Sequence, residues 1–259
     1  MSNPTTLLTQ AHNEGSLSAS ALATLTVADL GAQIQAGLGL PVDDVLASEA
    51  VLVTMLVDDS ASIASGHNTQ VVREGHNGVL DALQGARGRD AILVHTRYLN
   101  GQVLYPYALL EDTVRMDAHN YDPRQGTPLY DQTVVALGTV LAKSQEFAAN
   151  GVPTRTITLI ITDGCDQHSS RHTARSVAFL IKDMQARESH IVAALGIDDG
   201  QTDFRAVFRE MGIEDRWILT PGNGANEIRQ AFQLFSQSAL RASQGAASFS
   251  KAALGGFGI

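Results

Sequence analysis

The chain has 259 residues, with 18 Lys and Arg against 27 Asp and Glu, a formal net charge of −9 and 44% hydrophobic content. That length and apolar share suffice for one large domain with appendages and a sizeable core. The acidic balance disfavours nonspecific nucleic-acid binding, no apolar run reaches the roughly 18–20 residues of a membrane-crossing helix, and Cys165, the one cysteine, leaves no intrachain disulfide. No Lys or Arg precedes Arg73, so the start of the sequence lacks the basic stretch of a secretory or transit signal. The expectation is a cytoplasmic protein with no nucleic-acid and no membrane partner.

Residues 1–48 are rich in Ser, Thr, Ala and Gly and show little sustained periodicity. They read as a partly ordered arm with one short helix or strand near 26–34. From residue 50 the pattern sharpens. The apolar run 51–57 predicts a strand buried on both faces, and the apolar stripe of 68–83 predicts a helix. Segments 91–98 and 102–110 flank Asn100-Gly101, a pair that signals a type I′ hairpin and hence an antiparallel pair of strands.

A loop over 112–126 leads to a helix at 128–148, with Thr127 as its cap and Pro128 in its first position. Strands at 156–162, 191–197 and 217–220 then alternate with helices at 173–187, 204–211 and 227–240. This alternation predicts an α/β fold over residues 49–240: a doubly wound, mostly parallel sheet of about six strands, with one antiparallel edge strand and helices on both faces. The tail, 241–259, lacks acidic residues and carries Phe249, Leu254, Phe257 and Ile259 among small residues. It reads either as a plain tail or as a docking peptide, with Phe249 and Phe257 as candidate partner-binding residues.

Asp58-Asp59-Ser60-Ala61-Ser62 closes the first apolar run, and Asp163-Gly164 closes a second about a hundred residues later. In a doubly wound sheet ligands bind beyond the carboxyl ends of the strands, where the winding reverses. If the two strands are central neighbours, Asp58 and Asp163 lie close together and repel unless a cation or a proton neutralises them. Ser60, Ser62 and Thr127 add three hydroxyls. The set is all oxygen, which suits a hard divalent cation such as Mg²⁺.

Asp58-x-Ser60-x-Ser62, Thr127 in Gly126-Thr127-Pro128-Leu129-Tyr130 and Asp163 in Ile161-Thr162-Asp163-Gly164 resemble the metal-ion-dependent adhesion site (MIDAS) of von Willebrand factor A (vWA) domains, over residues 50–238. All five positions of that motif are filled, in order. The resemblance implies a vWA, Rossmann-like fold of an intracellular bacterial type. It also implies Mg²⁺, Mn²⁺ or Ca²⁺ held by Asp58, Ser60, Ser62, Thr127 and Asp163, with the hydroxyls direct and the aspartates at least partly through water. The expected function is non-enzymatic: a partner protein offers an Asp or Glu to the ion, and intracellular relatives suggest an AAA-type ATPase or a stress-response system as that partner.

Around this set, Asp59, His119, Asp166 and His168 are candidate partner-binding residues. Asp59 reads as a solvated neighbour, and His168 and His172 as part of a polar rim to the metal face. His168 and His172 stand four apart, but the predicted helix begins near His172, which argues against a zinc pair. Cys165 reads as a small structural residue. No G-x-S-x-G elbow and no phosphate-binding G-x-x-x-x-G-K-[ST] loop occurs. Two other functions are weighed: a metal-dependent hydrolase or phosphotransfer enzyme with Asp59, His119 or His168 as base, and a structural subunit of a larger assembly.

Overall fold

The computed structural model describes residues 3–243, except 28, 46 and 87, together with residues 255–257. A six-stranded sheet runs in the order β3-β2-β1-β4-β5-β6. β1 (Ala50–Val57) and β4 (Thr154–Thr162) form its centre, and every residue of β1 is buried. Their Val, Ile, Leu and Thr side chains suit a pleated surface covered on both faces. β1 pairs in parallel with β2 (Ile92–Tyr98) on one side and with β4 on the other, Val57 standing opposite both Tyr98 and Ile161. The winding therefore reverses between β1 and β4. β5 (His190–Gly196) and β6 (Ile218–Leu219) continue in parallel beyond β4.

β3 (Val103–Leu109) is the antiparallel edge strand. Its turn differs from the expected type I′ form. Gly101 N donates to Tyr98 O and Tyr98 N to Gln102 O, which makes a three-residue turn. Gly101 alone takes a left-handed φ of +91°. Asn100 keeps negative φ because its amide is committed elsewhere: the side-chain oxygen accepts from Gln102 N, and the main-chain N–H points to Asp59.

α5 (Thr69–Gln84) and α9 (Ala225–Ser243) pack together on one face of the sheet. α6 (Leu129–Ala149) and α7 (Ala174–Gln185) lie over the other, and α8 (Phe204–Glu210) packs beside β5. A single turn, α4 (Ala61–Ser65), follows β1. α6 begins one residue later than expected, with Pro128 rather than Thr127 as its cap residue and no side-chain cap. α7 likewise starts at Ala174, so His168 and His172 both lie in the preceding loop.

The segment before β1 holds more structure than its composition signals. α1 (Pro4–Asn13), α2 (Ala19–Leu25) and α3 (Leu30–Leu38) pack on α6. Asn3 and Ser18 cap the first two by accepting from Thr5 N and Ala21 N. Each helix buries only two to four side chains, among them Leu8, Leu25 and Ile34. That stripe is too short and too diluted with Ala and Gly to stand out as periodicity. Among the described residues no helix is long and apolar enough to cross a membrane.

Candidate functional site

The ladder between the central strands continues one residue past β1, where Asp58 N donates to Ile161 O at 2.9 Å. This brings Asp58 level with the end of β4. Its two carboxylate oxygens are both engaged: Oδ1 accepts from Ser60 N at 2.8 Å and Oδ2 from the Thr162 hydroxyl at 2.6 Å. Tyr121 donates its hydroxyl to Asp58 O and covers the strand end from the side. Ser60 Oγ lies 2.8 Å from Ser62 Oγ, and Ser62 Oγ donates to Asp163 Oδ1 at 2.6 Å. A chain of hydroxyls thus joins the end of β1 to the end of β4.

Thr127 arrives from a third direction. Ser60 bridges to Gln125 in parallel, and Ala61 N donates to Gln125 O at 3.1 Å, which fixes the segment leading into α6 beside the first strand end. On its other side, Thr127 O accepts from Gln167 N and His168 N, and Thr127 N donates to His168 Nδ1 at 2.8 Å. The main-chain groups of Thr127 are therefore spoken for, while its hydroxyl has no partner among the described residues. Asp58, Ser60, Thr127 and Asp163 are buried; Ser62 reaches solvent and gives the cluster an outer face.

Burial dominates the electrostatics. It raises the Asp58 carboxyl despite the bonds from Ser60 and Thr162. Asp163 is pushed up to about 6, by burial first and by the Asp58 charge in addition. Asp59 is also pushed up to about 6, again chiefly by burial. Asp59 is thus not the solvated neighbour expected. It is 3% exposed, and its Oδ1 accepts from Asn100 N at 3.0 Å because the β2–β3 turn folds over it.

Among the described residues no Lys, Arg or His lies within ion-pairing distance of Asp58, Asp59 or Asp163. Three neighbouring buried carboxylates without a basic partner are stable only if protons or a cation neutralise them. Nor do three or more His, Cys, Asp or Glu side chains cluster as metal ligands among those residues. The donors here are of another kind, carboxylates mixed with hydroxyls, and a divalent ion that prefers oxygen fits that mixture.

The rim residues have local structural work. Asp166 Oδ1 accepts from Tyr130 N and the Ser169 hydroxyl, which ties the loop after β4 to the first turn of α6. His168 is exposed, yet its Nδ1 accepts from Thr127 N, which places the ring proton on Nε2 in the neutral form. Its ring also lies over Gly126, where a Cβ would sit 2.8 Å from Nδ1. His172 N donates to Asp131, so the two histidines serve separate contacts. His119 is exposed and borders a cavity of about 160 Å³ that Asp59, Asn100 and Gln125 also line.

Cys165 is exposed rather than packed. Phe257 is buried against Trp217 rather than free for a partner, and Phe249 lies outside the described residues. Sequence reasoning missed the roles of Thr162 and Asn100, which hold the aspartates, and reached Tyr121 only as one residue of the loop 116–122 that could overhang the site. Only Thr162, adjacent to Asp163 at a strand end, carried a signal that could have found it.

No protein-family model matches this sequence, and no curated protein matches it. Solved structures do match its shape. The pilus adhesin SpaC from Lactobacillus rhamnosus GG, in its open conformation, superposes with a TM-score of 0.54 at 15% identity, over 74% of this chain and 30% of its own. Proximal thread matrix protein 1 from the mussel byssus gives 0.50 at 12% identity, over 74% of this chain and 46% of its own. The chain thus spans less than half the length of either protein. The SpRpn10 VWA domain gives 0.49 at 9% identity, over 76% of this chain and 98% of its own. At such identities the likeness is one of architecture, and the architecture is a doubly wound, mostly parallel sheet with one antiparallel edge strand.

Proposed function

We propose that the chain is a protein-binding module that works through a divalent cation held at the ends of β1 and β4. Asp58, Ser60, Ser62, Thr127 and Asp163 would hold the ion, with Mg²⁺ the first candidate and Mn²⁺ or Ca²⁺ the alternatives. When bound, such an ion supplies a Lewis-acidic position that takes a carboxylate from outside the chain. The carrying observation is the group of buried carboxylates without a basic partner among the described residues, joined to hydroxyls and reaching solvent at Ser62.

The partner is accordingly a protein that presents an exposed Asp or Glu. An AAA-type ATPase subunit is the class that the family resemblance offers first. The comparison with a pilus adhesin agrees with a binding role. So does the state of the histidines: His168 is committed to Thr127 N, and His119 stands on an exposed loop with its main-chain N–H on Asp117. Among the described residues neither histidine shares a hydrogen bond with Ser60 Oγ or Ser62 Oγ, which bond to each other and to Asp163, and this supports a reading of binding over turnover.

Calorimetric titration with Mg²⁺ alone tests the first half of the proposal. Saturable binding is expected for the intact chain, weakened by about tenfold or more in Asp58→Ala and in Ser62→Ala. Capture of partner protein on the immobilised chain, with Mg²⁺ and with EDTA, tests the second half. Equal capture in EDTA and by Asp58→Ala would rule out the metal bridge.

A further inference from the structure

β6 is a two-residue strand at the edge of the sheet, and the single turn before it carries Arg216 and Trp217, the one tryptophan of the chain. Although it stands at the sheet margin, Trp217 is only 1% exposed. Part of its cover comes from far along the chain. The Phe257 ring meets the indole edge-on, with centroids 5.4 Å apart and planes at 81°, and is itself 3% exposed. Phe257 N donates to Arg216 O at 3.0 Å.

The two residues before Phe257 make the fit specific. Gly256 lies flat against Arg216, where a Cβ would come within 2.6 Å of Arg216 Cβ and 2.7 Å of Arg216 O. Gly256 has φ +90° and Gly255 φ +68°, so the backbone approaches in the left-handed region before presenting the ring. The margin therefore reads three things at once: an aromatic side chain at 257, no side chain at 256, and a left-handed entry. An aromatic anchor, a main-chain hydrogen bond and a close backbone approach are the elements by which surfaces recognise short peptides. Covering a short edge strand also shields its unpaired groups from other chains.

We infer that the Arg216–Trp217 margin is a docking site for a Gly-Gly-Phe peptide, filled here by the chain's own residues 255–257, so that a partner with the same motif binds by displacing them. All contacts named above are noncovalent, and a separate peptide with the same three features satisfies them equally. The site lies at the amino end of β6, whereas Asp58 and Asp163 lie at the carboxyl ends of strands parallel to it. Docking there needs no cation and competes for nothing at the carboxylate cluster.

Trp217 is the only indole, so its emission reports the site in the unlabelled chain. In the full chain, Phe257→Ala and Gly256→Ala should each shift that emission to longer wavelength. Gly255→Asn should leave it unchanged, because Asn tolerates positive φ and a Cβ at 255 meets nothing within 4 Å among the described residues. A variant ending at Leu254 should show the same red shift. Titration with the peptide Gly-Gly-Phe-Gly-Ile should then reverse it saturably, with EDTA present or absent. The same peptide bearing Phe257→Ala or Gly256→Ala should bind about tenfold or more weakly.

Unchanged emission in the two full-chain variants overturns the inference. So does a peptide that gives no saturable shift up to about millimolar concentration with a truncated variant whose far-UV circular dichroism matches the full chain. Should truncation prevent folding, the full-chain variants decide the question alone.

Discussion

At the scale of single residues, Asp59 makes the sharpest forecast, because its carboxyl is buried and yet is not one of the five oxygen donors. The fold holds its pKa at about 6, against 3.8 in an open chain. A raised acid pKa means that the folded protein binds a proton that the unfolded chain has released. The resulting advantage is fully present below about pH 4 and is lost as pH rises through about 6, a penalty on the order of 3 kcal/mol at neutral pH. Asn at this position keeps an acceptor for Asn100 N and never ionises. Asp59→Asn should therefore raise the melting temperature in EDTA at pH 7.5, by the equivalent of about 1–3 kcal/mol, and by only about a third as much at pH 4.5. Asp163, also raised to about 6, moves in the same window and adds that Mg²⁺ should stabilise the intact chain more at pH 7.5 than at pH 5. Equal destabilisation of Asp59→Asn at both pH values would refute the burial argument. The alignment of Asp58, Ser60, Ser62 and Asp163 was legible in the sequence because each follows directly from the end of an apolar run. The burial of Asp59 was not, since it depends on a turn some forty residues away folding back over it.

Among the elements, the α5–α9 pair shows how a helix can need and not need glycine within one turn. Gly75 faces Phe232 of α9, and a Cβ there would overlap the aromatic ring. Gly78, three residues on, meets nothing within 4 Å among the described residues. Ala is the better helix former by about 1 kcal/mol at either site, whereas overpacking a fixed ring costs about 1–3 kcal/mol. Gly78→Ala should thus stabilise the protein by up to about 1 kcal/mol and Gly75→Ala should destabilise it by about 1–2 kcal/mol in urea unfolding. Two changes of the same sign would show that propensity, not the helix contact, governs this face. The strands and helices from residue 50 onward were legible for a similar reason: long apolar runs and clear helical stripes report burial directly. The type I′ expectation at Asn100-Gly101 failed because a tertiary hydrogen bond to Asp59, invisible in the dipeptide, selects a different turn. α1 and α2 escaped notice, and α3 was expected only as one short helix or strand near 26–34, because their burial is created by a partner surface rather than by their own pattern.

That partner surface raises the question of whether the first 45 residues are an appendage or part of the core. α6 is buried nearly all round, with Leu129, Val134, Val140 and Phe147 inaccessible alongside Thr139 and Lys143. One side of it faces the sheet, and α1 and α3 close the opposite side. The fit is tight. A Cβ on Gly138 would come within 2.7 Å of Leu25 and 2.8 Å of Ile34, and one on Gly37 within 2.7 Å of Thr139. Lys143, wholly buried, donates to Leu40 O as well as to Glu146. Without residues 1–45 that ammonium loses an acceptor, and the apolar side of α6 meets water. Each fully buried Leu or Ile contributes about 1.5–3 kcal/mol, and Leu8, Leu25, Leu30 and Ile34 together rival the about 5–15 kcal/mol that holds a typical domain folded. A chain lacking residues 1–45 should consequently bind a dye for exposed apolar surface, scatter light as it self-associates, and lose a cooperative thermal transition. The damage should reach the candidate metal site as well, since Thr127 leads into α6, whose middle and later turns these helices brace. Cooperative unfolding of the shortened chain, with Mg²⁺ binding intact, would instead show that α1–α3 are an accessory layer on a self-sufficient sheet.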